Sequence, residues 1–213
     1  VGLFTASAYT GSTSAVPFIR HKVAQVVRRA GFDPASYSGR ALLNVLESYP
    51  RDELFKIDVD TLLAFSIEIM TLYERPRIRV LARADKFDRF VSLLVYIPKE
   101  RFDSVIRRKI GEVLAQLYDG RVAATYPAYP EGPLARTHYI VGRYDGVTPP
   151  LDQATLEEAV SAVAQTWSDG LTERLRQTEE PARARQLVGR YGEAFSAAYR
   201  EAFSPGEALE DIA

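Results

Sequence analysis

The sequence predicts an α+β chain, with a ββαββ sheet unit flanked by helical segments on both sides. Three observations predict it. Apolar residues recur at helical spacing up to Arg75, the period becomes strand-like around one central helix from Arg77 to Tyr144, and helical spacing returns after Asp152. The implied division is a mostly helical segment over 1–75, with the end of an upstream strand at 1–5, an α/β domain over 76–146 and a helical segment over 147–213.

After the polar run TGSTS, AVPFIRHKVAQVVRRAG sets Phe18, Ile19, Val23, Val26 and Val27 at helical spacing and stops at Gly31. Asp33 followed by Pro34 has the pattern of an N-cap with proline at the first helical position. Leu42, Leu43, Val45 and Leu46 then give a second helix its apolar face, ending at Pro50, and RDELFKID reads as a link. In VDTLLAFSIEIMTLYER, Leu62, Phe65, Ile69 and Leu72 keep a helical period until Pro76 forbids continuation.

RIRVLARAD alternates Ile78, Val80 and Ala82 against Arg77, Arg79, Leu81 and Arg83. FDRFVSLLVYI sets Phe87, Val91, Leu93, Val95 and Ile97 on one face, so the two form a hairpin around DKFD. Pro98 cannot donate to a ladder and ends the strand. A helix follows, with Ile106, Ile110, Val113, Leu114 and Leu117 as its stripe, and closes near Gly120. RVAATYPAY and LARTHYIVGRY supply two further strands, and the helix must cover one face of the sheet.

DGVTPPLD, residues 145 to 152, is the linker-like stretch. Beyond it, Thr155 and Glu158 have capping-box spacing ahead of one long seam of Leu156, Val160, Val163, Trp167, Leu171 and Leu175. Pro181 opens another helix, in which Leu187, Tyr191, Phe195, Ala198 and Ala202 recur at three or four. Ser204 and Glu207 form a second capping box close to the last residue, and the chain opens on an apolar stretch without methionine. Both ends read as cuts through a longer polypeptide.

Composition narrows the chemistry. Among 213 residues, 27 basic and 28 acidic side chains leave a formal charge of −1, so no global field favours nucleic acid or an anionic membrane. No cysteine is present, which removes thiolate catalysis, disulfides and cysteine-held metals and fits a reducing cytoplasm. No apolar run approaches the roughly 20 residues that span a bilayer. Arginine (22) greatly outnumbers lysine (5), and Asn44 and Met70 are each the only residue of their type.

His21 and His138 fall on different elements with no carboxylate at metal-ligand spacing, so structural or solvated roles are expected of both. No G-x-S-x-G turn, G-x-G-x-x-G turn or phosphate-cradling G-x-x-x-x-G-K-[ST] loop occurs, and catalytic, cofactor-binding and metal-binding residues are expected to be absent. KFDRFVSLLVY approaches the aromatic strand of an RNA-recognition sheet at Phe90 and Val91 but lacks its two glycines. The remaining candidates are Arg77, Arg79 and Arg83, on one strand face. They are either a solvated face that discourages edge pairing or a contact for an anion or acidic partner, since guanidinium groups match carboxylates at two points.

LLNVLESYPRDELFKID, ERPRIRVLARADKFDRFVSLLVYIPKERF and PLARTHYIVGR resemble segments of the N-terminal region of the large bacterial NAD-specific glutamate dehydrogenases. YPRDELF, then ERPR, then FVSLLVYIP, in that order, is the specific part, and the similarity runs from GLFTASAY to AYREAFSPGEALEDI. The resemblance implies an ACT-like, ferredoxin-related domain between helical segments, upstream of a catalytic domain. The ββαββ order lacks the opening strand of a full βαββαβ pattern. The resemblance further implies a cytoplasmic, oligomeric parent that oxidises L-glutamate with NAD to 2-oxoglutarate and ammonia, while this stretch holds no NAD. It is then a non-catalytic regulatory or assembly segment, whose partners are the parent's other domains and subunits and, for a regulatory role, a small amino-acid effector. Nucleic acid and membrane are not expected as partners. The competing expectation is an independent ferredoxin-like binding module that uses the arginine face for a protein or nucleic-acid partner.

Overall fold

A computed structural model describes residues 6–212. The expected strand end at 1–5 lies outside the described residues, and Ala6–Thr10 is a short helix, α1. There follow α2 (Pro17–Ala30), α3 (Tyr37–Ser48), α4 (Arg51–Lys56) and α5 (Val59–Glu74). The sheet unit comprises β1 (Arg79–Ala84), β2 (Phe90–Pro98), α6 (Ser104–Leu117), β3 (Gly120–Ala128) and β4 (Leu134–Arg143). After it come α7 (Gln153–Ala164), α8 (Trp167–Thr178), α9 (Pro181–Tyr191), α10 (Ala197–Ala202) and α11 (Pro205–Ile212). Two compact units result, one running up to Val160 and the other starting at Ser161.

Several helix ends differ from the sequence expectation because a neighbouring polar side chain competes better for the free N–H groups. Ser36, not Asp33, caps α3 by accepting from Gly39 N at 3.0 Å, while Asp33 closes a turn onto Ala35 N at 2.9 Å. RDELFK is a helix rather than a link, and Asp58 then caps α5 through Thr61 N at 2.8 Å. Asp152 takes Thr155 N at 2.8 Å, displacing the expected Thr155–Glu158 box from the start of α7. The long seam breaks between Ala164 and Trp167, where Thr166 and Asp169 form a reciprocal capping box. A second break follows α9, where Gly192 to Ser196 leave the helix and Ser196 caps α10.

All neighbours in the sheet are antiparallel, in the order β1-β2-β4-β3. This order resolves the missing first strand. Joined end to end, ββαββα and βαββαβ are the same ring of elements cut at different points, so β4, followed by α7, occupies the place of the opening strand and helix. The sheet is therefore a complete four-stranded ferredoxin-like arrangement in permuted chain order.

Both faces of the sheet are covered over β2 and β4, whereas the edge strand β3 is largely exposed. Leu81, Leu94, Tyr96 and Leu134 share one face and join a core with Ile19, Val26, Leu42, Leu46, Leu62 and Leu72 from α2, α3 and α5. On the other face Tyr139 packs against α6, its hydroxyl donating to Arg107 O at 2.8 Å. An added Cβ at Gly111 would meet the Tyr139 ring at 3.2 Å. Hence β2 is buried from Val91 to Ile97 without alternation. Phe87, assigned by its period to the strand face, lies instead in the turn and is 75 % exposed.

In the second unit, Leu171, Leu175 and Ala208 form a small core. Trp167, Phe195, Tyr199 and Phe203 line up beside it with successive centroids 4.6 to 5.0 Å apart. The capping box expected at Ser204 and Glu207 opens α11, with Ser204 N donating to Glu207 at 2.8 Å and Glu207 N to Ser204 Oγ at 3.3 Å.

Candidate functional site

Strand alternation carries Arg79 and Arg83 to the sheet face that meets the N-terminal helices, together with Leu81. Arg77 precedes the strand and is exposed. The three candidates are thus not one continuous face. Arg83 forms a two-point ion pair with Glu53 of α4, its Nη2 lying 3.1 Å from Oε2. Glu53 is 2 % exposed, so the pair is in the interior. Burial alone would lower the Arg83 pKa, but the Glu53 hydrogen bond and charge carry it above the usual range.

Arg79 is bound at two carboxylates. It pairs with Glu68 of α5, at 2.5 Å from Nε, and with Glu157 of α7 at 3.1 Å. The same α7 turn closes the outer edge of β1. Val80 N donates to Glu157 at 3.4 Å and Val80 O accepts from Gln153 Nε2 at 3.1 Å. An edge strand otherwise presents such groups to any passing chain.

His138 of β4 adds a third polar group on this face. Its Nε2 lies 2.8 Å from Ser92 Oγ on β2 and 4.0 Å from Glu53. Burial pushes its pKa down to about 4 against the pull of Glu53, so the imidazole is neutral near pH 7. His21, by contrast, is exposed on α2. Lys22 is buried beside it and donates from Nζ to Leu54 O at 2.6 Å and Ile57 O at 2.5 Å, closing the C-terminal end of α4. Burial pushes its pKa down, with Asp58 and Glu53 opposing.

Chemically, this cluster is a set of charges and dipoles that satisfy one another. Glu53, Ser92, Glu68 and Glu157 were not singled out in the sequence, because each is an ordinary residue type 11 to 78 positions from its partner. The approach to an RNA-recognition strand ends here as well. Phe90 sits under Lys56 and Arg83, at 5.4 and 5.9 Å, and both faces of β2 are covered by helices, which leaves that strand no open surface for bases.

The same architecture recurs in comparisons with known proteins. Residues 16–75 match the family model for glutamate dehydrogenase helical motif 1, residues 79–168 the glutamate dehydrogenase ACT2 domain, and residues 174–213 glutamate dehydrogenase helical motif 2. The chain belongs to the glutamate dehydrogenase family. The ACT2 match begins at the first residue of β1 and runs past the end of α7, enclosing the permuted ferredoxin-like unit. An NAD-specific glutamate dehydrogenase of Pseudomonas aeruginosa is 35 % identical over all of this chain, and one of Halomonas elongata is 36 % identical. The enzyme of the same name from Mycobacterium tuberculosis is 28 % identical. The chain spans only 13 to 14 % of the length of these glutamate dehydrogenases. Among the described residues, no helix is long and apolar enough to cross a membrane.

Proposed function

We propose that this chain is a non-catalytic assembly segment of a large NAD-specific glutamate dehydrogenase, its chemistry and its NAD site carried by polypeptide outside these 213 residues. One observation supports this above the others. Two of the three arginines that the sequence offers as candidates are engaged in internal pairs, Arg83 with Glu53 and Arg79 with Glu68 and Glu157, and those pairs join the helices to the sheet. Glutamate oxidation needs a nucleotide site and an acid–base group open to substrate, and this cluster is neither. Within this reading the segment works in the cytoplasm, with the parent's other domains and subunits as partners. In this reading the segment consists of a helical part to residue 75, a sheet part 76–146 and a helical part from 147. Arg77, exposed and beside the paired arginines, is the position left for an acidic partner.

The test is direct. The 213-residue chain is incubated with L-glutamate and NAD, and NADH is followed by absorbance; no turnover above the uncatalysed rate is expected, and enzymatic turnover overturns the reading. In the full-length parent, Arg77→Glu should lower the assembled fraction in analytical ultracentrifugation without changing the turnover of the assembled enzyme. An unchanged assembly state removes Arg77 from the interface.

A further inference from the structure

Two glycines of the second unit differ in what they are for. On α8, Gly170 lets α11 come close, since a Cβ added there would lie 3.0 Å from the ring of Pro205. On α9, Gly189 is exposed within the helix, has no positive φ, and a Cβ added there would meet nothing within 4 Å. Glycine is the poorest helix former after proline, and neither backbone strain nor packing within the unit calls for it here. The device that seats α11 on α8 is thus repeated on α9, and among the described residues no element sits on it.

Gly189 lies on the floor of a groove. Two hollows of about 580 and 510 Å³ meet at Val188 and Gly189. Ser168, Thr172 and Arg176 line them from α8, spaced four residues apart on one stripe, and Pro181, Arg185 and Gly192 line them from α9 and its end. Leu171 and Leu175 of α8 pack instead with Ala208 of α11. The α8–α9 hairpin is therefore filled on its α11 side and open along this groove. Its charges are uneven. Glu179 pairs with Arg183 at 3.0 Å, Glu193 with Arg200 at 3.2 Å, and Glu173 accepts from Gln177 Nε2 at 2.9 Å. Asp169 serves the capping box of α8, Arg174 lies towards Gly206 of α11, and Arg190 lies over the Tyr191 ring. Glu180, exposed in the turn between the helices, stands outside the lining. Arg176 and Arg185 remain, both exposed at the turn end of the groove, and no ion pair holds either one among the described residues.

We propose that the groove between α8 and α9 seats one further helix of the parent polypeptide, from outside these 213 residues, with carboxylates at the end that meets Arg176 and Arg185. Gly189 lets the two helix axes approach, the apolar floor of Ala184 and Val188 is covered, and the two guanidinium groups gain the partners they lack. The relatives have chain to supply such a helix, since the present one spans only 13 to 14 % of their length. This deepens the assembly reading and rests on it.

The experiment compares hydrogen exchange in the full-length parent and in the 213-residue chain. The amides from Leu187 to Arg190 should exchange at least about tenfold more slowly in the parent. Gly189→Leu should keep or raise the thermal midpoint of the 213-residue chain, because leucine favours the helix and its Cβ has room, yet return α9 in the parent to the faster rate. Arg185→Lys in the parent, treated with a zero-length carbodiimide, should become joined at position 185 to an aspartate or glutamate of a helix outside this stretch, located by mass spectrometry. Equal exchange of α9 in the two chains, a lowered midpoint for Gly189→Leu, no adduct at position 185, or an adduct to a second copy of this stretch each overturns the proposal. Turnover of glutamate and NAD by the 213-residue chain sinks the assembly reading whatever α9 does, whereas equal exchange without such turnover sinks the groove alone.

Discussion

Glu53 and Arg83, 30 residues apart in the chain, meet at two points between α4 and β1 with the carboxylate all but closed to solvent. An interior pair of this kind adds little over an apolar pair of the same shape, but breaking one side strands a charge in the core. Glu53→Ala should therefore destabilise the chain by about 3–5 kcal/mol in urea denaturation. Adding Arg83→Met to it should recover a large part of that loss. A double variant no more stable than Glu53→Ala would show that the stranded guanidinium is not the cause.

His138 gives the fold a pH dependence whose sign can be worked out. The unfolded chain takes up a proton on this histidine near pH 6.5, and the folded chain refuses it until about pH 4. Between those values the unfolded state binds more protons, so stability is full above pH 6.5 and falls as the pH drops towards 4. The loss amounts to about 3 kcal/mol. Glu53 and Asp52 draw the proton in, while Arg136 and Lys56 oppose it. His138→Gln should flatten this part of the curve relative to the parent chain, measured as urea midpoints between pH 4 and 7. Parallel curves for the two chains would contradict it.

The sequence made the strands and most helices legible because their periods come from local burial. Leu81 and Val80 are both buried, however, and alternation cannot show that when helices cover both faces. The break between α7 and α8 was hidden for a related reason. Trp167 and Leu171 continue the spacing of Leu156 and Val160, so the apolar seam survives while the backbone stops, and the signal lay in Thr166 and Asp169. The arginine face was legible as a strand face, but its role was not. Its carboxylates come from α4, α5 and α7, and no local pattern ties Glu53 or Glu157 to β1.

Gly39 lies where α3 starts against the preceding turn. An alanine Cβ there would come 2.1 Å from Asp33 O, a contact that backbone atoms can relieve only by moving. Gly39→Ala should cost about 1–3 kcal/mol despite the better helix propensity of alanine. An increase in the urea midpoint would mean that propensity outweighs the clash.

The last prediction concerns the guarded edge of β1. Val80 turns its N–H and C=O away from β2, and α7 meets them with Glu157 and Gln153. Its amide is therefore protected by a side chain rather than by a ladder, and that protection should disappear with the carboxylate. In Glu157→Ala, hydrogen exchange at Val80 should quicken by about tenfold or more, the range expected when a net bond of about 1–2 kcal/mol is lost, while Leu81, bonded within the β1–β2 ladder, keeps its rate. The exposed N–H would then be free to pair with another strand, while Gln153 still holds the C=O, so the variant should also self-associate more at high concentration than the parent chain. Unchanged exchange at Val80 would show that the edge is covered by packing of α7 and not by its carboxylate.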